Sequence, residues 1–411
     1  MYVFTPPPSK SLSNRALILA SLVNGKSVIN NFSFCDDTNY MIKSLRKLGV
    51  EIVTKNNSVE VFSLGGNFSK SGIKIYCGNA GTTFRFLTAL LSLNKGKVVL
   101  DGSKRMRQRP IKSLVKALEQ AGVEIKSSKN FPPIIIKGGN NLGGKIKIDA
   151  SESSQFLSAL LMILPFMSNG SEIHVDSGLV SKPYVDLTLA MQKQFGVIVK
   201  NVGYKKFTLG KNQKYQPSKI SIEPDASSAS YFLAAAAITK KTLKINGLGQ
   251  SSLQADLKFV DLLAKMGCEV KKSTSEIIIK GKNLRGISVD LNSSPDIVQT
   301  LAVTACFAEG KTKIRNVHNL RLKETDRLHA LSIELRKIGA EVKEFHDGLE
   351  ITPGKILPTE ISTYNDHRMA MSFALASLMN TEIKIRNPKC VKKSFPNFWS
   401  EFNNMKRAFK L

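Results

Sequence analysis

Leu45-Arg46-Lys47-Leu48-Gly49-Val50-Glu51-Ile52 reads as the end of an amphipathic helix, a glycine stop and the entry into a strand. The pattern returns as Leu118-Glu119-Gln120-Ala121-Gly122-Val123-Glu124-Ile125, and then in shorter form as Gly196-Val197-Ile198, Gly267-Cys268-Glu269-Val270 and Gly339-Ala340-Glu341-Val342. The glycines stand 71 to 74 residues apart. Self-similarity at a fixed period marks a repeated structural unit. A sixth copy would fall at the last residue, Leu411. The chain closes instead on a helical stretch, Phe398 to Phe409, with no strand after it. The N-terminal Met1-Tyr2-Val3-Phe4 is therefore expected to come round and complete the last unit.

The other half of the period is a helix start. Pro8-Ser9-Lys10-Ser11-Leu12-Ser13-Asn14-Arg15 opens a helix rich in small and apolar residues, Ala16 to Val23, and a strand-like Ser27-Val28-Ile29 follows. Comparable starts are Gly81-Thr82-Thr83-Phe84-Arg85, Ser153-Ser154-Gln155, Ser227-Ser228-Ala229-Ser230, Asp296-Ile297-Val298 and Asp366-His367-Arg368, again about 70 residues apart. The fourth such helix is read from Tyr231 to Ile238. Together the two patterns give six helix–strand–helix–hairpin units in an α/β chain. A helix N-terminus presents free N–H groups and about half a positive charge, which favours an anion. Lys10 and Arg15 add full charges to the first of these. One capped helix start would be unremarkable; six with basic or hydroxyl groups point to phosphate or carboxylate ligands.

Composition narrows the classes. A length of 411 residues suggests two or three domains with ample core. The five cysteines, Cys35, Cys77, Cys268, Cys306 and Cys390, form no Cys-x-x-Cys pair and the histidines no ligand spacing. Neither a disulfide framework nor a metal is expected, and a reducing compartment, the cytoplasm, is. Met1-Tyr2-Val3-Phe4 meets Pro6-Pro7-Pro8 at once, so no signal peptide is expected. The greasiest run, Phe156 to Met167, contains Pro165 and is too short to span a bilayer. The net charge of +28 raises nucleic-acid binding as a reading. The lysines are spread along the chain, however, and aromatics are only 7%, with no recognition motif; solvated lysine-rich faces account for most of the charge.

Along the chain, Cys77-Gly78-Asn79-Ala80-Gly81 places two glycines before a helix, where backbone amides can approach an anion closely. It is not a Walker loop, and Gly310-Lys311-Thr312 fails too, because Ala305 occupies the leading glycine position. Arg105-Met106-Arg107-Gln108-Arg109-Pro110 reads as an extended loop leading into a helix from Ile111. Asn319-Leu320-Arg321-Leu322-Lys323-Glu324-Thr325-Asp326-Arg327 is the densest run of charge, followed by an apolar stripe, Leu328, Leu331, Leu335 and Ile338. If that helix starts early, Lys323 and Arg327 share a face.

These stretches resemble the 5-enolpyruvylshikimate-3-phosphate synthases (3-phosphoshikimate 1-carboxyvinyltransferases) over essentially the whole chain. The resemblance is carried by Ser9 to Arg15, Gly78-Asn79-Ala80-Gly81-Thr82, Arg105-Met106 with Arg109-Pro110-Ile111, Ser153 to Phe156 and Ser181-Lys182-Pro183-Tyr184. It continues through Asp225 to Tyr231, Arg321 with Lys323 to Leu328, and Asn365 to Ala370. The motifs look most like the glyphosate-sensitive class, although Phe86 stands where relatives often have Pro, and Pro8 and Pro224 replace common glycines.

The resemblance implies a two-domain inside-out α/β barrel, three units per domain, with helices inside and sheets outside. Residues 9–223 would form one lobe, and 224–411 with the N-terminal strand 1–8 the other. It implies transfer of the enolpyruvyl group of phosphoenolpyruvate to the 5-hydroxyl of shikimate 3-phosphate, in the shikimate pathway, by a monomer with no cofactor. By resemblance, Lys10, Ser11, Arg15, Ser153, Ser154, Gln155, Ser181, Tyr184, Asp296, Asn319 and Lys323 hold shikimate 3-phosphate. Lys10, Asn79, Gly81, Arg109, Gln155, Arg327, Arg368 and Lys393 hold phosphoenolpyruvate. Asp296 would be the base on the attacking hydroxyl and Glu324 the acid that protonates the methylene carbon, with Lys393 relaying or supplying that proton. A related enolpyruvyl transferase that acts on a UDP-amino sugar uses a loop cysteine; the loop Arg105 to Arg109 has none.

Overall fold

All five glycine stops end helices in the computed structural model, which describes residues 1–139 and 141–411. Gly49, Gly122, Gly196, Gly267 and Gly339 have φ between 83° and 112°, where a side chain is strained. The residue after each glycine donates its N–H to the carbonyl five positions back at 2.9–3.1 Å, satisfying an orphan acceptor of the last turn. The five sites differ in what surrounds them. A Cβ at Gly122 would meet nothing within 4 Å, whereas one at Gly339 would fall on the backbone oxygen of Lys355. Gly122→Ala should therefore cost about 1–2 kcal/mol of backbone strain, and Gly339→Ala about 3 kcal/mol or more. Chemical denaturation of the two variants checks the order, and equal losses would contradict it.

The chain divides into two compact units, Pro8–Ile222 and Met1–Pro7 with Glu223–Leu411, each around its own hydrophobic core. The first unit carries helices α1 (Lys10–Ser21), α2 (Asp36–Lys47), α3 (Gly81–Leu90), α4 (Lys112–Gln120), α5 (Ser154–Ile163) and α6 (Pro183–Gln194). The second carries α7 (Ala226–Ile238), α8 (Lys258–Lys265), α9 (Val298–Ala305), α10 (Arg327–Lys337), α11 (His367–Phe373) and α12 (Phe398–Phe409).

The odd-numbered helices are the buried ones. Every residue of α3, α7, α9 and α11 is buried. A helix that is apolar all round belongs inside, and the small residues of these stretches allow close packing. Several of their hydroxyls bond one turn back: Thr88 donates to the Phe84 carbonyl, Ser230 to Ser227 and Thr304 to Thr300, while the buried Ser372 hydroxyl of α11 has no partner among the described residues. The even-numbered helices bury one stripe, as in α8, where Phe259, Val260, Leu262 and Leu263 face the core.

Five four-stranded sheets share one plan. In three of them the strand before an odd helix pairs parallel with the strand after it; in the other two the parallel strand comes from elsewhere in the chain; in all five a hairpin extends the sheet antiparallel. Ile73–Tyr76, Lys97–Asp101, Phe131–Lys137 and Glu124–Ser128 are one example. The N-terminal strand does not complete the last unit. Tyr2–Phe4 pairs parallel with Thr242–Asn246, in the fourth unit's sheet, and Phe4 stacks on Phe232 of α7. The edge beside the first unit's strand is filled by Lys219–Ser221, which leaves the N-terminal strand for the fourth. The sixth unit keeps a two-stranded pair, Glu360–Ile361 with Lys384–Ile385, and ends on α12.

Local details also differ from the sequence reading. α7 starts at Ala226, five residues before Tyr231, because Asp225 caps it through the Ser228 N–H. The loop from Arg105 contains a 3-10 turn, Met106–Gln108. Asp296 lies in a separate 3-10 turn, Pro295–Ile297, and does not open α9. Lys323 and Arg327 share no helix face, since α10 begins at Arg327 and Lys323 closes the 3-10 turn His318–Leu322. Among the described residues, no helix is long and apolar enough to cross a membrane.

Candidate active site

In the first unit, Arg15 faces inward from the second turn of α1 and is 1% exposed. Its Nη1 donates to Ser11 Oγ at 2.7 Å and to the Ser11 carbonyl, its Nε to Thr188 Oγ1 at 2.8 Å, and its Nη2 to the Tyr184 carbonyl at 3.1 Å. The guanidinium lies 5.2 Å from the ring centre of Phe86. These acceptors are hydroxyls and carbonyls, and among the described residues no carboxylate pairs with Arg15. Burial lowers its pKa to about 10, with Tyr184 working in the opposite direction.

The α3 and α5 starts form a second group. Arg85, one turn into α3, donates through Nη1 to Gln155 Oε1 at 2.8 Å and Ser153 Oγ at 3.1 Å, and lies over the Phe156 ring. Gln155 Nε2 donates to Thr82 Oγ1 at 3.1 Å. Ser153 caps α5, and Ser154 is buried beside it. Arg109 lies across the start of α3, its Nη1 donating to the Asn79 carbonyl and Oδ1. A Cβ at Gly81 would stand 2.5 Å from Arg109 Nη2, so the missing side chain is what admits the guanidinium. Lys10 pairs with buried Asp37 at 3.0 Å. Ser181 is buried and adopts φ 53°, in the turn ahead of α6.

In the second unit the charges are interlocked. Arg327, 1% exposed, forms a fork with Asp366 (Nε–Oδ2 2.7 Å, Nη2–Oδ1 3.3 Å). It also reaches Glu324 Oε2 at 2.8 Å and Asp296 Oδ1 at 3.3 Å. Arg368 Nη2 holds the other Asp296 oxygen at 2.8 Å, and Lys393 Nζ lies 3.5 Å from Glu324 Oε1. Burial opposes the Arg327 charge, but Asp366, Glu324 and Asp296 outweigh it and hold its pKa above the ordinary value. Asp366 caps α11 through the Arg368 N–H at 2.9 Å. His367 is buried beside it, and burial with the nearby Arg368 and Lys393 pushes its pKa far down, so it stays neutral.

Five of the sequence-predicted residues thus meet in one cluster: Asp296, Glu324, Arg327, Arg368 and Lys393. Asn319 sits on the 3-10 turn before Lys323 and Glu324, and its buried Oδ1 accepts no hydrogen bond from the described residues. Among the described residues no group of acidic, histidine or cysteine side chains is arranged to hold a metal. The sequence reading missed Arg85, Asp37, Thr188 and Asp366 as members of these clusters. Arg85 was within reach: it lies four residues after Gly81, hence on the same face of α3. Asp366 was read only as part of a helix start.

A family model described as EPSP synthase (3-phosphoshikimate 1-carboxyvinyltransferase) matches residues 3–402. A 3-phosphoshikimate 1-carboxyvinyltransferase from Photorhabdus laumondii is 47% identical over 406 residues, 97% of this chain and 95% of the relative. One from Haemophilus influenzae is 48% identical over 412 residues, again 97% and 95%. Among solved structures, EPSP synthase from Acinetobacter baumannii superposes with a TM-score of 0.79 at 27% identity, covering 98% of this chain and 95% of that one. The enolpyruvyl transferase NikO from Streptomyces tendae, at 16% identity and a TM-score of 0.77, shares the mixed α/β fold. With its motifs, its charged clusters and its full-length relatives in agreement, this chain belongs to the EPSP synthase family of enolpyruvyl transferases.

Proposed function

We propose that this chain transfers the enolpyruvyl group of phosphoenolpyruvate to the 5-hydroxyl of shikimate 3-phosphate, giving 5-enolpyruvylshikimate 3-phosphate and phosphate. The observation that carries this beyond the family name is Arg15, a buried guanidinium ringed by hydroxyl and carbonyl oxygens, with no carboxylate to neutralise it among the described residues. A phosphate or carboxylate supplies the missing charge. The residues proposed for shikimate 3-phosphate are Lys10, Ser11, Arg15, Ser153, Ser154, Gln155, Ser181, Tyr184, Asp296, Asn319 and Lys323. The open Asn319 oxygen suits a ligand hydroxyl. Lys10, Asn79, Gly81, Arg109 and Gln155, with Arg327, Arg368 and Lys393, take phosphoenolpyruvate. The architecture proposed for them is the inside-out barrel of six units, three in residues 9–223 and three in 224–411 with strand 1–8. The working form is a cytoplasmic monomer with no cofactor and no nucleic-acid or membrane partner.

Chemically, Asp296 takes the proton of the attacking hydroxyl as oxygen bonds to C2 of phosphoenolpyruvate. Glu324, with Lys393, gives a proton to the methylene carbon. Loss of that carbon's proton and of phosphate then restores the double bond. Arg327 and Arg368 hold both Asp296 oxygens in place, so positioning and charge complementarity supply much of the acceleration.

Arg15→Ala should weaken shikimate 3-phosphate binding by roughly 10- to 100-fold, the value of a charge-assisted hydrogen-bonded contact, with a smaller fall in kcat. Calorimetric titration of the variant reads this, and unchanged affinity would remove Arg15 from the site. The activity itself is tested by mass spectrometry of the product. With phosphoenolpyruvate present, shikimate 3-phosphate should gain an enolpyruvyl group and UDP-N-acetylglucosamine should not. The reverse preference would overturn the assignment.

A further inference from the structure

Arg321 stands in the middle of the charged run Asn319 to Arg327, and no step above uses it. It lies in the 3-10 turn His318–Leu322, its side chain 24% exposed. Nε donates to the His346 carbonyl at 3.0 Å and Nη2 to the Phe345 carbonyl at 2.7 Å. Nη1 donates to Glu344 Oε1 at 2.8 Å and to both Asp326 oxygens, at 2.9 and 3.2 Å. Glu344, Phe345 and His346 form the end of the strand Glu341–Phe345 and the hairpin tip that follows it, and Asp326 is the cap of α10. One guanidinium thus ties three pieces of chain: the 3-10 turn, a hairpin tip and the start of a helix.

The same tip fastens the chain just ahead of the turn. The Asp347 carbonyl accepts the Val317 N–H at 2.8 Å, and Asp347 Oδ2 accepts the Asn316 N–H at 3.0 Å. Glu344 also reaches α10, its second oxygen lying 3.2 Å from His329 Nδ1. The stretch from Asn316 to Asp326 is therefore held at both ends and, through Arg321, in the middle. Between these anchors lie Asn319, Lys323 and Glu324. Lys323 is extended (φ −89°, ψ −152°) and lies between the 3-10 turn and α10, so its direction follows from whatever holds the turn.

We infer that Arg321 is a positioning residue that sets Asn319, Lys323 and Glu324 in the site, by fastening the turn that carries them to the hairpin tip and to the cap of α10. This rests on the proposed roles of those three residues. A lone exposed ion pair contributes little. Arg321 instead meets two carboxylates and two carbonyls in fixed directions, which a planar guanidinium can do at once and the single nitrogen of a lysine cannot. Arg327 is held independently, by Asp366 and Asp296 from elsewhere in the chain, and Asp326 keeps the His329 N–H. Loss of Arg321 is therefore felt at Asn319 and Lys323, which take shikimate 3-phosphate, and at Glu324. It spares Arg327 and Arg368, which take phosphoenolpyruvate.

Arg321→Lys keeps the charge and loses the fork. The Kd of shikimate 3-phosphate, read by calorimetric titration, should rise about tenfold and kcat should fall about tenfold, while KM for phosphoenolpyruvate changes less than about twofold. A merely structural residue would lower the folded fraction, scaling kcat and leaving both affinities alone. The double variant Arg321→Lys, Lys323→Met traces the route: if Arg321 acts through Lys323, its tenfold effect on shikimate 3-phosphate affinity shrinks once Lys323 is gone. Full additivity would overturn the inference. So would wild-type affinity in Arg321→Lys, or an equal loss for both substrates, and either result leaves the enolpyruvyl transfer standing. If Arg321→Lys does not fold, Glu344→Ala removes one anchor and should raise the same Kd about threefold; an unchanged Kd there overturns the inference as well. Wild-type protein that binds no shikimate 3-phosphate would instead overturn the proposed function, and this inference with it.

Discussion

Asp296→Asn and Glu324→Gln should each lose turnover by on the order of a hundredfold or more, with substrate binding changed far less. Asp296 is held through both oxygens, by Arg327 at 3.3 Å and Arg368 at 2.8 Å, which fixes the carboxylate proposed to deprotonate the attacking hydroxyl. An amide at the same place keeps the size and loses the basicity. Glu324 stands between Arg327 and Lys393, and its removal takes away a group able to pass a proton to carbon. Turnover and binding measured on one preparation of each variant separate chemistry from affinity. Exchange of solvent deuterium into the methylene of phosphoenolpyruvate reads the carbon acid alone, and Glu324→Gln should suppress it. Near-normal turnover in Glu324→Gln would move the carbon-acid role to Lys393.

Arg327→Met should destabilise the protein by about 3–5 kcal/mol, the loss seen when one member of a buried ion cluster is removed. Arg327 neutralises Asp366, Glu324 and Asp296 together, and Asp366 is fully buried. Without the guanidinium Asp366 keeps its α11 cap but has lost its forked partner. The double variant Arg327→Met, Asp366→Asn should recover part of the stability, because the second change removes the stranded charge. Urea unfolding of the two variants measures this. A single-variant loss below about 1 kcal/mol would show that the cluster is solvated and not interlocked.

What was legible in the sequence was what the backbone imposes locally. The five glycine stops were readable because a helix that ends in a left-handed residue needs glycine there, and all five have positive φ. The buried helices were readable from runs such as Tyr231 to Ile238, apolar on every side. The placement of Tyr2–Phe4 was not, because any short β-prone strand can fill any open sheet edge; only the capture of the first unit's edge by Lys219–Ser221 decides it. The helix start at Arg327 was misjudged because Asp326 caps α10, accepting the His329 N–H at 3.1 Å, which shuts Lys323 out of the helix.

The central claim is that this chain makes 5-enolpyruvylshikimate 3-phosphate, and phosphate release tests it most directly. Purified protein, shown to be folded by a cooperative thermal transition, is mixed with phosphoenolpyruvate and shikimate 3-phosphate, and inorganic phosphate is followed with time. Phosphate should appear only when both substrates are present, in equal amount to the enolpyruvyl product. A folded protein that releases none from the pair would contradict the claim.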